Sequence, residues 1–499
     1  MKIITIVICF LLATAACTPS LPSPDKVKES PESPRISPDY TTVTVPPNIA
    51  PLNFEITEAC DESMATIADG SGRMLTARGP VVKWDESDWR RLLEENRGKA
   101  LAGSVYTRHG QGWMRRQFEI KVADEDIDRY FSYRLIEPSF VYFNQIALNQ
   151  RDLTSWDVHT IHNNYYVPDE SSLQCMNCHV PRNNNADNHS QFHVRNTNGG
   201  TIIIEGKDVK KIQLTTDSVP SPGVYPAWHP SLDMIAYSIN GTKQYFFSRD
   251  RQKIEVMDDY SDLILYDSDN ETVERVTNTP DILETFPAWS PDGTRLYFSA
   301  ARYPESTGKG NIYKKFDEVR YDILSLPFDP ATRSFTSTVP DTVLCVSAMG
   351  KSASLPRISP DGRYMLTCVG DFGTFHIWHK SSDLWLTDLA TGETRPLEAA
   401  NSDDVDSYHS WSSNSRWIVF SSRRDDSGFT RPYIVYVDKD GQASKAFVVP
   451  QKNPRYYNEL FKSFNVPEFL VNPVQADRAA ILDAINSSPV QVSDRRRNQ

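Results

Sequence analysis

Long apolar runs are nearly absent from this chain. Ile3 to Ala16 is the one extended apolar stretch, and it falls short of the ~20 residues that span a bilayer. Membrane contact is therefore expected through an anchor rather than a span. Positive charge is also scarce. The 53 Lys and Arg stand against 65 Asp and Glu, a formal charge of −12. That argues against a nucleic-acid partner, which favours a basic face. No G-x-S-x-G nucleophile motif occurs, so a peptidase reading has little support. No Ser/His/Asp set or carboxylate pair stands out. Cysteine is rare, with seven in 499 residues. What is abundant is aromatic and turn chemistry: 22 Tyr, 22 Phe, 10 Trp and 33 Pro suit an all-β chain with many turns.

Two of the cysteines fall in Cys175-Met176-Asn177-Cys178-His179, the C-x-x-C-H spacing that attaches a c-type haem. Two thiols three positions apart each form a thioether to one vinyl group, and the adjacent His supplies an axial nitrogen. From composition, about 0.002 such matches are expected by chance. The expected cofactor is covalent haem c.

The N-terminus bears on this. Met1-Lys2, the apolar run and small residues before Cys17 make a secretory signal. Thr14-Ala15-Ala16-Cys17 resembles a bacterial lipobox, with Thr14 where Leu is commonest. The resemblance implies a signal peptide over 1–16 and lipidation at Cys17. It also implies an envelope lipoprotein, periplasm-facing or in the outer membrane; a plain signal peptide is the alternative. Residues 17–47, rich in Pro, Ser and charge, read as a disordered tether. Export suits the haem, because bacterial c-type haem is attached outside the cytoplasm. Six Cys remain after processing. With Cys17 lipidated and Cys175 and Cys178 on haem, three are left, so at least one thiol is free. A Cys345–Cys368 pairing stays open.

The second half is repetitive. Four units align without gaps, beginning at Trp228, Trp289, Ile358 and Trp411. The clearest is Trp289-Ser-Pro-Asp-Gly-Thr-Arg-Leu-Tyr-Phe-Ser299. Ser-Pro-Asp-Gly is a type I turn, and the run after it is a strand. Each unit is followed by a second strand signal, such as Asp383-Leu-Trp-Leu-Thr387, and then a turn and a further strand. A repeated four-strand unit is a propeller blade. Polar insertions at Tyr303 to Lys315 and Gly370 to Lys380 are expected to project as long loops from one rim. The repeat tryptophans are expected to pack between blades rather than form a binding cage.

The W-S-P-D-G turn and following strand resemble the repeat of TolB-like envelope propellers over about residues 199–450. The resemblance implies an all-β, TolB-like β-propeller of about six blades. It is specific for fold and weak for function. The expected organisation is a small N-terminal β domain at 48–125 with one helix near Asp85 to Gly98. The propeller follows at 126–465, with the haem-motif loop 171–198 inserted early, and a C-terminal tail covers 466–499. As a whole, the loop resembles haem-type C-x-x-C-H insertions of some exported TolB-like propellers.

Haem needs an axial ligand and often two. His179 is the first by position. His193 is the leading second candidate, with Phe192 as a wall and Arg195 as a propionate partner; His159, His162, His189 and a distant Met are rivals. Zn2+ is the alternative cofactor, since Cys175, Cys178, His189 and His193 approach a Cys2His2 spacing. The ten Asn-rich residues between Cys178 and His189 lack the apolar positions of a zinc finger. A Cys175–Cys178 disulfide is the third option. The function expected first is electron transfer or redox sensing at the envelope, with an unidentified protein redox partner. The alternative is a non-catalytic binding scaffold with the Cys/His cluster as a zinc or disulfide staple.

Overall fold

Each Ser-Pro-Asp-Gly unit closes a turn and starts a strand. In the computed structural model, which describes residues 21–137, 145–164, 174–248, 252–303 and 311–495, the Ser290 carbonyl accepts the Gly293 N–H at 2.9 Å, and Ser359 accepts from Gly362 at 2.7 Å. Gly293 and Gly362 have φ of 71° and 75°, which glycine adopts at no steric cost. The strand before each turn pairs antiparallel with the strand after it, as Ile282–Trp289 does with Arg295–Arg302.

Six such sheets form the body. Their first strands are Ser463–Leu470 (blade 1), Cys175–Pro181 (blade 2), Val224–Trp228 (blade 3), Ile282–Trp289 (blade 4), Ser352–Ile358 (blade 5) and Asp406–Trp411 (blade 6). Each of these touches the first strand of the next blade, and blade 6 touches blade 1, so they close a ring around a central channel. The repeat tryptophans bolt the ring together. Trp228, Trp289 and Trp411 each donate Nε1–H to a backbone carbonyl of the preceding blade, those of Val180, Ala227 and Arg357, at 3.1 to 3.2 Å. They pack between blades, as their place in the repeat implied.

The C-terminus closes the ring. Ser463–Leu470 pairs with Tyr130–Ile136 of the first blade. Residues 466–495 are thus no free tail. Beyond that strand, helix Arg478–Asn486 buries Ile481 and Ile485 against blades 1 and 2, and Val490–Gln491 and Ser493–Asp494 add parallel edge strands to blades 2 and 3.

The tether reading is also corrected over 21–47. Val27–Ser30 and Thr44–Val45 pair with Gly112–Val122, and Tyr40, Val43 and Val45 are buried. Few apolar residues lie in this segment, but they are spaced to enter a core. The N-terminal domain therefore begins before residue 48. Its helix, Glu86–Glu95, starts where Asp85 accepts the N–H groups of Ser87 and Asp88, and buries Trp89, Leu92 and Leu93 on one face. Residues 1–20, with the signal peptide and Cys17, lie outside the described residues.

Long connections gather at one rim. Ile282 pairs with Arg302 and Ser352 with Gly370. The insertions after those second strands therefore leave from the end at which the first strands begin, the rim opposite the Ser-Pro-Asp-Gly turns. Of the insertion at 303–315, residues 304–310 lie outside the described ones.

Candidate functional site in the central channel

The C-x-x-C-H motif is not in an inserted loop. Cys175–Pro181 is the channel strand of blade 2, and His189–Arg195 is the strand beside it. The polar stretch between them hid this pairing from a strand search.

All six channel strands carry a bulge at one level. The register breaks at Asn177/Val180, Val224/Ala227, Thr285/Ala288, Ser354/Arg357 and Ser407/Ser410, and in blade 1 opposite Ser132/Arg134. The first bulged residue has a left-handed backbone in every blade: Cys178, Tyr225, Phe286, Leu355, Tyr408 and Val466, with φ between 48° and 55°. For side chains of this bulk that is an outlier, and six in a ring mark a shared device. The second bulged residue is Pro226, Pro287, Pro356 or Pro467 in four blades, which removes a donor the bulge would leave unpaired. In the other two it is His179 and His409. The signal was present in the sequence as Tyr225-Pro226-Ala-Trp228, Phe286-Pro287-Ala-Trp289 and Val466-Pro467-Glu-Phe469. Cys178-His179 falls in register with these.

The channel wall is aromatic. Tyr225 lies 4.2 Å from Phe286, ring to ring, and Phe375 from a blade 5 loop stands between Tyr225 and Tyr408 at 6.5 and 6.3 Å. Burial holds the Tyr225 hydroxyl well above its ordinary pKa, with Asp258, Tyr408 and Cys178 adding to the shift. The opposite end is crossed by the Asn-rich loop. Asn183, Asn184, Asn185 and Asn188 are all left-handed, a conformation that Asn tolerates. Asn183 donates to Pro230 O at 2.7 Å, Asn184 to Trp411 O at 2.8 Å and Phe469 O at 3.3 Å, and Asn185 to Asn472 O at 2.9 Å. The loop thus ties blade 2 to blades 3, 6 and 1.

Cys175 is buried in an apolar cluster with Ile136, Leu148, Met176, Phe192 and Val194, between blades 1 and 2. Cys178 is half-buried in the channel ring. Burial raises its thiol pKa, while Arg195 and Arg134 pull it down. Both thiols are free, as are Cys60, Cys345 and Cys368, so neither the Cys175–Cys178 staple nor a Cys345–Cys368 bridge is formed.

His179 is buried, and its ring meets the Ser132 and Val466 backbone of blade 1 without a well-aligned hydrogen bond at either nitrogen. Desolvation drives its pKa to about 3, with Arg134 adding to the shift, so the ring is neutral. Its surroundings are Ser132, Arg134 and Val466 of blade 1. His409 at the equivalent bulge is satisfied, with Leu366 O at 3.0 Å from Nε2 and Cys368 Sγ at 3.5 Å from Nδ1.

His193 faces the other way. It is opposite Asn177 in register, its Nδ1 lies 2.8 Å from Thr201 Oγ1, and its ring is 5.8 Å from Tyr237 of blade 3. The structure therefore does not bring His179 and His193 to one side of the strand. His162 stacks on Phe192 at 6.0 Å and stands on the outermost strand of blade 1. His159 shares that strand and is exposed. Arg195 is exposed and sits opposite Cys175. His189 lies against Asp187 and Trp228. Among the described residues no three His, Cys, Asp or Glu side chains form a metal-holding group, so the Cys175/Cys178/His189/His193 zinc set is not assembled.

No family model matches the chain, and no curated protein matches it. Among solved structures it is similar to TolB from Acinetobacter baumannii, at 12% identity over 77% of this chain and 85% of that one, with a TM-score of 0.44. It is similar to Kuenenia stuttgartiensis hydrazine synthase at 11% identity over 69% of this chain and 46% of that one, with a TM-score of 0.43. The β-propeller domain of the Trilobed protease from Pyrococcus furiosus is similar at 10% identity over 72% of this chain and 96% of that one, with a TM-score of 0.33. On its own strand order the chain is an all-β propeller of six blades.

Proposed function

We propose that this propeller is an exported c-type haem protein serving electron transfer or redox sensing at the cell envelope. Cys175 and Cys178 would hold the haem by thioethers and His179 would supply the axial nitrogen. The observation that carries the reading is the C-x-x-C-H motif on a channel strand with a buried, neutral His179, whose ring meets the Ser132 and Val466 backbone without a well-aligned hydrogen bond. A neutral imidazole nitrogen so weakly held keeps a lone pair that a haem iron would take. Bound haem supplies one-electron chemistry.

Attachment would require the bulge to turn, because the Cys178 thiol stands toward the channel beside Tyr225 and the His179 imidazole toward Ser132 and Val466 of blade 1. Arg134 donates to Met176 O at 3.2 Å, which fixes a guanidinium beside the motif, and Arg195 stands across from Cys175. Together they provide the positive charge that carboxylate substituents need. The apolar cluster around Cys175 excludes water. His193, on the far face, would take no part at the same iron as His179. A lipid on Cys17 would hold the body at the membrane, and an exported redox protein would be the partner.

A haem stain on a denaturing gel, backed by an alkaline pyridine spectrum, tests this on protein matured in a host that attaches c-type haem. Signal in the wild type and none in the Cys175→Ala/Cys178→Ala double variant is expected. His179→Ala should keep covalent haem and change its visible spectrum. Folded wild-type protein without haem would contradict the reading. The non-redox scaffold reading, which the aromatic channel wall favours, would then stand without a zinc or disulfide staple.

A further inference from the structure

One buried arginine spends none of its side-chain hydrogen bonds. Four of the described arginines are buried: Arg151, Arg182, Arg423 and Arg431. Arg151 donates to Pro450 O, Arg182 to Asp187 and Asp233, and Arg431 to the carbonyls of Lys462, Tyr457 and Leu460. Arg423 is 8% exposed, and among the described residues nothing accepts from its guanidinium. Its Nε is sealed from water without a partner, while the two Nη groups keep a path to solvent. Burial draws its pKa down from 12.5 to about 10, against the pull of Asp404 and Asp426, so the group stays charged at neutral pH. An idle charged donor in the interior is costly.

The two carboxylates that feel this charge are engaged elsewhere. Asp404 accepts from Ser427 Oγ at 2.5 Å and the Val405 N–H at 2.8 Å, and lies 3.7 Å from Lys380 Nζ. Asp426 accepts the N–H groups of Gly428 and Phe429, both at 2.8 Å. What holds Arg423 is Trp378. The guanidinium carbon lies 4.2 Å from the centroid of that ring. Trp378 packs in one cluster with Phe375, Val405 and Tyr408, and the Arg423 N–H donates to Val405 O at 3.0 Å, just before the blade 6 channel strand. A planar fork thus lies on an indole where the blade 5 loop meets blade 6, at the mouth of the aromatic channel. The neighbouring Arg424 also lies on a ring, that of Tyr433, but donates to Ser422, Ala400 O and Asp406. Stacking holds the Arg423 fork in place without using its donors, so little freedom is lost when an acceptor arrives.

We propose that Arg423 anchors a small organic carboxylate at the channel mouth. Its two Nη groups would each donate to one carboxylate oxygen, the geometry that a planar fork matches, with the ligand's apolar body toward Phe375 and the channel wall. A single fork with Asp404 and Asp426 nearby suits a monoanion and disfavours a dianion such as phosphate. The site is independent of the haem reading.

Isothermal titration with benzoate, a flat monocarboxylate, tests this on the folded chain. One site per chain is expected, with uncharged benzamide and inorganic phosphate each about tenfold weaker or more. Arg423→Met keeps a stem over Trp378 and removes the fork. It should weaken benzoate binding about tenfold or more while the melting midpoint holds or rises, because an idle buried charge is gone. Arg423→Lys keeps the charge without the fork and should recover part of the binding; it carries the same test if Arg423→Met does not fold. Arg363→Met removes a guanidinium that stacks on Tyr364 and donates to Lys439 O, and should bind as the wild type does. Folded wild type that does not bind benzoate would mean a solvated arginine only. Benzoate binding unchanged in Arg423→Met, with a lowered midpoint, would mean an arginine that serves packing. Either result overturns the proposal.

Discussion

At the scale of single residues, the informative contrast is between the two histidines of the bulge ring. His409 makes the well-aligned bonds of a core histidine, while His179 meets the Ser132 and Val466 backbone without one. The sequence showed C-x-x-C-H plainly, because three residue types at fixed spacing are rare. It did not show that Cys178-His179 stands where other blades place an aromatic or aliphatic residue and Pro, since the repeat was aligned from the tryptophans onward. Nor did it show that His193 faces blade 3, because strand pairing sets that direction. The tryptophans give a sharper expectation. Trp289→Phe removes the donor to Ala227 O and should cost about 1–2 kcal/mol, read from urea unfolding. Glu284 gives a pH expectation. Burial raises its pKa from 4.5 to about 7, against hydrogen bonds from Thr277 and Thr279. The native state then holds a proton that the unfolded state has lost, so stability falls as pH rises from about 4.5 to about 7, by up to about 3 kcal/mol. Glu284→Gln should flatten that part of a melting-temperature profile.

At the scale of elements, turns were legible and edges were not. Ser-Pro-Asp-Gly announces its own geometry, and the helix at Glu86–Glu95 follows from its Asp85 cap. The segments 17–47 and 466–499 read as tether and tail because they are polar and short of hydrophobic periodicity. Their described parts, 21–47 and 466–495, fold because they borrow partners, adding strands to sheets already built. Ending the chain after Val471 should leave the ring closed and lower the melting midpoint, since helix Arg478–Asn486 is lost. Ending it before Ser463 should abolish the cooperative transition, because blade 1 loses its channel strand. The Asn-rich loop is the other element whose role composition concealed. Asn184→Ala loses both bonds to blades 6 and 1 and leaves in the left-handed region a residue that tolerates it less than Asn, for about 2 kcal/mol or more by urea unfolding. Asn184→Gly should cost less.

At the scale of the whole molecule, the ring gives the motif its setting. Six channel strands share one bulge level, and that level carries Cys178 and the aromatic wall. The long connections collect at the rim where the strands begin, as the insertions implied, while the Asn loop crosses the other end. The propeller was legible because a repeat multiplies a weak local signal. The channel contents were not, because they depend on which residues meet across blades, as Phe375 meets Tyr225 and Tyr408.

The most direct measurement is the mass of the tryptic peptide containing Cys175 to Arg182, from protein matured with a haem-attachment system. The account predicts one haem added, joined at both Cys175 and Cys178. A peptide at its unmodified mass, from protein that is folded and exported, would contradict it.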